Sequence, residues 1–366
     1  MTLFRDPLTL RRMALFKANA RGYWSFWIFM ILFLVSLFAP FIANDRPILA
    51  SYKGELLFPV FIDYPETKFG GFLAQTNFRD PANLDEINAN GWMVWPPLRY
   101  SYATVNTDIP GPAPSPPALG LSRAQLCAKY PNKTQDSQCL AGNMNWLGTD
   151  DQGRDVVARL IYGYRVSVAF GLILTFFSSI IGIVTGAVQG YFGGWIDLIF
   201  QRFIDIWSSM PTLYLLIILG AFITPSFSLL LFILVLFSWT GLVHLIRAEF
   251  LRARNFEYVR AARALGLSDW KIMFKHLLPN AMVSAVTFMP FILAGSVTTL
   301  TALDYLGFGL PPGSASLGEM VAQGKNNIQA PWLGITIFLL LSVMLTLLVF
   351  IGEAVRDALD PRKTFQ

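Results

Sequence analysis

The chain has 366 residues, of which 54% are hydrophobic and only 14% charged, with a formal net charge of +5 at pH 7. Soluble domains carry about 25% charged residues, so this composition excludes a freely soluble globular protein. The apolar residues are also gathered into runs: Gly22–Ala43, Val166–Ile196, Ile206–Ile246, Leu277–Leu303 and Asn326–Gly352 contain no Asp, Glu, Lys or Arg.

A bilayer crossing takes about 20 apolar residues, and a charge at its centre costs roughly 2.5–3.5 kcal/mol. Each run qualifies as a span. Ile206–Ile246 would be about 60 Å long as one helix, twice the hydrocarbon thickness. Thr224-Pro225-Ser226 is a turn signal near its middle, so it reads as two spans. The expected helices are 23–43, 166–189, 206–223, 227–246, 281–302 and 331–352. The fold class is an all-α integral membrane protein with six transmembrane helices and a large irregular insertion after the first.

Short loops on one side would carry sixteen Lys and Arg, while those on the other carry only Lys325. The positive-inside rule then places both termini in the cytoplasm. The organisation is a cytoplasmic segment 1–22, an anchor helix 23–43, a periplasmic segment 44–165, a five-helix core 166–355 with a cytoplasmic loop 247–280, and a tail 356–366. The first span follows a basic region, but its apolar run exceeds a signal peptide's 7–15 residues and no clean A-x-A site follows. It reads as an uncleaved anchor.

Segment 44–165 is rich in Pro, Gly and aromatic residues, as in Trp92-Met-Val-Trp95-Pro-Pro97. Such composition favours turns and extended chain, and Ile109–Leu119 reads as a linker. Two readings stand side by side: a solvated cap, or a vestibule for a delivered ligand. Cys127 and Cys139 fall here with eleven residues between them. In an oxidising periplasm the expectation is a Cys127–Cys139 disulfide. Without further Cys or His they complete no metal site.

On the second span Ser178, Gly182, Gly186 and Gly190 recur every four residues, a small-residue face that permits close helix contact. Static packing within one subunit is the favoured reading of that stripe; sliding contact is the other. Arg202 and Asp205 form an expected surface pair. Pro211 and Pro290 interrupt their spans, and His244 packs at a boundary.

Residues 257–280 form a charged stretch between oily ones. Good helix formers run to Leu265, and Glu257, Arg260 and Arg263 share one ridge at i, i+3 spacing. Val259 and Ala262 face elsewhere. Gly266 supplies a left-handed stop, Ser268 can cap a second helix from Asp269, and Pro279-Asn280 punctuates before the next span. A DNA-binding helix–turn–helix is excluded, because membrane spans tether both sides only about 30 residues apart. The remaining readings are an amphipathic surface loop and a helix pair that plugs into a cytoplasmic partner.

At these residues the chain resembles the permease subunits of binding-protein-dependent ABC importers, whose loop motif is E-A-A-x3-G-x9-I-x-L-P. Ala261, Ala262, Gly266, Leu278 and Pro279 match, while Arg260 stands at the Glu position and His276 at the Ile position. Leu147-Gly-Thr-Asp-Asp-Gln-Gly-Arg-Asp155 with Tyr162-Gly-Tyr-Arg-Val-Ser167 is similar to the dipeptide, oligopeptide and nickel branch. So are Arg202-x-x-Asp205 with Pro211, Leu306-Gly-Phe-Gly309, and Asp360-Pro361; Leu300 replaces a Glu usual before that glycine turn. The long outer segment and Gly324–Trp332 resemble the narrower Yej-type group.

The resemblance covers nearly the whole chain and implies a type I importer permease in the bacterial inner membrane. It implies a second homologous permease, two cytoplasmic ATPase domains (separate or on one fused chain) and a periplasmic substrate-binding protein. ATP and Mg would sit on the ATPases, with no cofactor on this chain. The implied cargo is peptidic: oligopeptides, microcin C-like peptides or muropeptides. The coupling residues carried over are Glu257, Arg260, Ala261, Ala262, Arg263, Gly266, Ser268, Leu278 and Pro279.

The chain's nearest approach to a phosphate loop, Gly318 to Asn326, has five intervening residues rather than four and lacks the Ser or Thr. With no nucleophile–base pair, the expectation is a non-enzyme. The contrasting readings are a proton-driven carrier or an intramembrane enzyme using Asp205 and Asp304, since ionisable residues near a membrane interior invite function.

Overall fold

The computed structural model describes residues 7–107, 109, 112–118 and 144–360. Cys127, Cys139 and the expected bridge lie outside the described residues. The chain divides into two compact units: the described parts of Met1–Ile31, Ser167–Pro311 and Ser342–Gln366, and those of Leu32–Val166 and Pro312–Leu341.

Helix α1 (Pro7–Ala18) precedes α2 (Ala20–Leu37) and the short α3 (Ala39–Ile42). The first span therefore stops short of residue 43. Pro40 lacks an N–H and its ring crowds the carbonyl four residues back, which breaks the helix ahead of it.

The following segment, expected to be irregular, contains a three-stranded antiparallel sheet in the order β2-β1-β3. The strands are β1 (Leu49–Tyr52), β2 (Glu55–Leu57) and β3 (Gly91–Val94), with α4 (Pro81–Ala89) before the last. Lys53 and Gly54, at φ 50° and 84°, form the tight turn between β1 and β2; positive φ at both positions matches the twist of a two-residue hairpin. Ala50 pairs with Leu57 and with Met93. Ala50, Tyr52 and Leu57 bury one face of the sheet with Phe69, Phe78 and Ile87. The composition that looked irregular supplies turns around a real core.

In the expected linker, residues 112–118 lack helix and strand. They are nonetheless pinned: Ser115 N–H donates to Thr149 Oγ1 at 2.8 Å, and Thr149 N–H returns to the Ser115 carbonyl at 2.9 Å.

The remaining helices are α5 (Val156–Phe192), α6 (Gly194–Ser208), α7 (Thr212–Phe222), α8 (Phe227–Ser238), α9 (Thr240–Ala253), α10 (Glu257–Ala264), α11 (Asp269–Lys271), α12 (Leu278–Tyr305), α13 (Leu317–Asn326) and α14 (Pro331–Leu359). A π-helical turn, Ile272–Leu277, joins α11 to α12. Five stretches are long and apolar enough to cross a membrane: Ala20–Leu37, Val156–Phe192, Phe227–Ala253, Asp269–Tyr305 and Pro331–Leu359. The pair Gly194–Ser208 and Thr212–Gly220, bent by 58°, makes a sixth when taken together. The expected third span, 206–223, is thus a broken helix whose break falls at Pro211. The fourth begins where the turn signal places it, with the Ser226 hydroxyl accepting from Leu229 N–H at 3.2 Å.

The small-residue stripe on α5 meets Trp239 and α9 of the same chain. A Cβ on Gly182 would lie 2.7 Å from the Trp239 carbonyl oxygen, one on Gly186 2.7 Å from that of Val243, and one on Gly190 2.5 Å from Phe250 Cβ. Ser178 is buried and donates its hydroxyl to the Thr175 carbonyl. Backbone thus approaches backbone at spacings any side chain would forbid. Beside this contact, Ile183, Ala187, Leu242, Ile246 and Phe250 form a core with Val259, Ala262 and Met273.

Candidate docking site

Helix α10 stands on that core. Val259 and Ala262 are buried, while Glu257, Arg260, Ala261 and Arg263 are exposed. The i, i+3 charged ridge is therefore the outward face of a helix whose inward face is small and apolar.

The end of α10 shows why Gly266 is there. Its φ is +76°. Gly266 N–H donates to the Arg263 carbonyl at 2.9 Å and Leu267 N–H to that of Ala262 at 3.2 Å. These are the paired bonds of a Schellman motif, which requires a left-handed residue at this position. Leu267 then packs against the core. Ser268 occupies the N-cap position of α11, but its hydroxyl makes no capping bond.

The expected stop at Pro279-Asn280 is absent, and helical backbone continues from Asp269 to Tyr305. The π turn ahead of Pro279, closed by Leu278 N–H donating to the Met273 carbonyl, widens the helix where the proline ring and its missing N–H would otherwise break it. Asn280 Nδ2 donates to the His276 carbonyl and to Tyr258 Oη, both at 3.4 Å. Leu278 is half-buried and Pro279 exposed.

The hairpin is fastened to the end of α5 by Tyr191 and Arg254, to which the sequence did not point, and by Arg263, to which it did. Tyr191, nearly fully buried, donates its hydroxyl to Asp269 Oδ1. The Arg263 guanidinium lies 5.0 Å from the centre of the same ring. Arg254 Nη1 reaches the carbonyls of Gly190 and Tyr191 at 3.5 and 3.4 Å. At the other edge of α9, Arg247 clasps Asp197 with two bonds of 2.5 and 2.6 Å. Around this anchored base, Leu265 is 81% exposed, and Trp270 and Phe274 stack on one another while also exposed. Cations and uncovered apolar side chains thus share the outward face of the hairpin.

A second constellation belongs to the other unit. Asp150 Oδ1 accepts from the N–H of Gln152 and of Arg154, at 2.9 and 2.8 Å, and folds the Asp-Asp-Gln-Gly loop around itself. Its Oδ2 lies 2.7 Å from Arg154 Nε and 3.5 Å from Arg159 Nε, the latter without hydrogen-bond geometry. Glu319 on α13 bridges both arginines, at 2.8 Å to Arg154 and 3.0 Å to Arg159. Burial lowers the Arg154 pKa, but the Glu319 bond and the Asp150 charge outweigh it and the net shift is upward.

Asp155 caps α5 through Ala158 N–H at 2.8 Å and accepts from Asn145 Nδ2 at 2.8 Å. Burial outweighs these bonds and raises its pKa to about 6. An unfolded Asp titrates near 3.9, so the folded chain holds the extra proton between about pH 4 and 6. This contribution is present below pH 4 and is lost as pH rises through 6. From pH 4 to 7 the melting temperature of the wild type should fall relative to that of Asp155→Asn as pH rises.

Asp205 is exposed and pairs with Arg202 at 3.1 Å. Asp304 Oδ1 accepts from Leu310 N–H at 2.7 Å and holds the Leu306–Gly309 turn. Both carboxylates thus serve surface or turn geometry. Among the described residues no group of His, Cys, Asp and Glu could hold a metal ion.

Five or six apolar crossings and an exposed, anchored hairpin between two of them define a polytopic helical membrane protein. The family described as "Binding-protein-dependent transport system inner membrane component" matches residues 160–365, and the chain belongs to it. A relative from Agrobacterium fabrum, "Peptidoglycan transport system permease protein YejE", is 66% identical over 99% of this chain and 95% of its own. The Escherichia coli "Inner membrane ABC transporter permease protein YejE" is 52% identical over 98% of both. "Oligopeptide transport system permease protein OppC" of Lactococcus lactis is 35% identical over 60% of this chain and 76% of its own. The chain is accordingly a permease subunit of the ABC importer type and not itself an enzyme.

Proposed function

We propose that the chain forms half of the pore of an ATP-driven importer for peptides and peptide-bearing cell-wall fragments, and that α10 to the π turn is where a cytoplasmic ATPase grips it. Both termini and the hairpin lie in the cytoplasm on this reading. The partners are a second permease, two ATPase domains that hold ATP and Mg, and a binding protein outside. The name of the Agrobacterium relative supports muropeptides as cargo; that of the Lactococcus relative supports oligopeptides.

One observation carries the coupling role. The hairpin's outward face is basic and apolar at once, while its base is locked to α5 by Tyr191, Arg254 and Arg263. Force applied to the exposed face therefore reaches a membrane-spanning helix through short contacts. Arg260 is the cleaner probe, since Arg263 also serves the anchor. Arg260→Glu should lower recovery of the ATPase subunits with the tagged permease at least fivefold, with the permease still in the membrane fraction. Undiminished recovery would remove the docking role.

A further inference from the structure

In the turn Phe58–Ile62, between β2 and the rest of the small sheet unit, Pro59 is buried, but none of the described residues covers Phe58, Phe61 or Ile62. Phe61 is 70% exposed, and Phe58 and Ile62 are exposed as well. Exposed aromatic and branched apolar side chains in one short turn mark a surface that meets something other than water.

Continuity identifies the occupant. The Phe61 ring packs edge-on against Phe41, with centroids 5.6 Å apart, and Phe41 lies 6.3 Å from Phe38. Phe38 stands at the end of α2, where Leu32, Leu34, Val35 and Leu37 are likewise exposed along a membrane span. The three rings thus extend the lipid-facing side of α2 onto the turn.

The turn is also equipped to leave water. Phe61 N–H and Ile62 N–H both donate to the Phe58 carbonyl at 3.0 Å, and Phe58 N–H donates to Tyr64 Oη at 3.2 Å. Backbone that enters an apolar boundary must bring its hydrogen bonds with it. The residues just beyond are of the interfacial kind. Asp63 pairs with Arg46, and the Lys68 ammonium sits 5.2 Å from the Tyr64 ring. Tyr with flanking cations is the composition found at headgroup depth.

We infer that Phe58, Phe61 and Ile62 lie in the headgroup–acyl boundary of the bilayer that α2 crosses, with phospholipid as their partner. The unit is thereby held against the membrane surface as well as tethered by its chain. This requires only that α2 spans a bilayer and is independent of cargo and of ATPase coupling.

Photo-crosslinking tests it on the full-length chain. p-Benzoylphenylalanine replaces Phe61, the protein is placed in phosphatidylethanolamine–phosphatidylglycerol vesicles and in membranes with its partner subunits, and adducts are read by mass spectrometry. Phospholipid adducts should form at position 61 at a yield comparable to position 176, on the exposed face of α5, and at least tenfold above Asp85 on α4. Position 58 supplies the same reading if the 61 variant does not accumulate. Adducts to a partner permease or binding protein, or lipid yields no higher than at Asp85, would overturn the assignment.

Discussion

Replacing Gly266 with valine should abolish ATP-linked uptake while the chain still reaches the membrane in normal amount. Apart from its chain neighbours, no described residue comes within 4 Å of where a Cβ would stand at this glycine, so crowding is not the issue. Backbone conformation is. An L-residue in the left-handed region costs roughly 1–2 kcal/mol, and β-branching makes it a true outlier. The cheapest relief is to abandon φ +76°, which breaks the paired bonds from Gly266 and Leu267 back to Arg263 and Ala262. The path from α10 to α11 would then change, carrying Leu265 and Trp270 away from the ridge at Arg260.

The spans cross the bilayer without help from that turn, so insertion survives. Asparagine, which tolerates the left-handed region, should keep much of the transport, with valine lowest in the series. Labelled-peptide uptake in cells expressing the partner subunits, normalised to membrane-fraction permease, reads the effect. Equal transport in glycine and valine chains would show that the hairpin's shape does not matter.

Local signals were the legible part of this molecule. Hydropathy located five of the crossings because each is a property of about 20 consecutive residues, but it placed the third at 206–223, where a bent pair runs from Gly194 to Gly220. The turn at Thr224-Pro225-Ser226 and the stop at Gly266 were readable because a turn and a left-handed stop are decided within a few residues, whereas the capping bond expected of Ser268 is not made. The small stripe on α5 was readable as a close-packing face, but its partner, Trp239 to Phe250, was not.

What escaped was either long-range or context-dependent. Tyr191 and Asp269 are 78 residues apart, and Arg154 and Glu319 are 165 apart. No local periodicity joins them. The small sheet was missed because its strands are only three or four residues long, among prolines and glycines. Pro279 was misread for a subtler reason: proline breaks a regular helix, and only the π turn ahead of it lets this one continue.

The charge cluster carries the second large effect. Glu319→Ala should cut stability by about 3 kcal/mol, the lower end of the cost of removing one partner from a buried ionic group, since the Glu319 side chain is 25% exposed. Arg159 is fully buried and Arg154 nearly so. With Glu319 gone, Asp150 is the one carboxylate among the described residues still paired with the two cations, and it already spends Oδ1 on the loop backbone. Two Arg159 nitrogens already lack partners among the described residues, and Nη2 would keep only the Ser314 carbonyl at 3.3 Å. Gln323 is the nearest substitute. Its amide nitrogen sits 3.4 Å from both Asp150 and Glu319, but it carries no charge.

Glu319→Gln keeps the shape and one acceptor and should lose about half as much. The exposed Arg202–Asp205 pair provides the contrast, since surface pairs contribute about 0–1 kcal/mol. Asp205→Ala should leave the melting temperature within error. Thermal melts of detergent-solubilised protein, followed by size-exclusion chromatography, separate these cases. If Glu319→Ala and Asp205→Ala melt alike, the cluster does not hold α13 to the start of α5, and the Asp-Asp-Gln-Gly-Arg loop owes its shape to its backbone bonds alone.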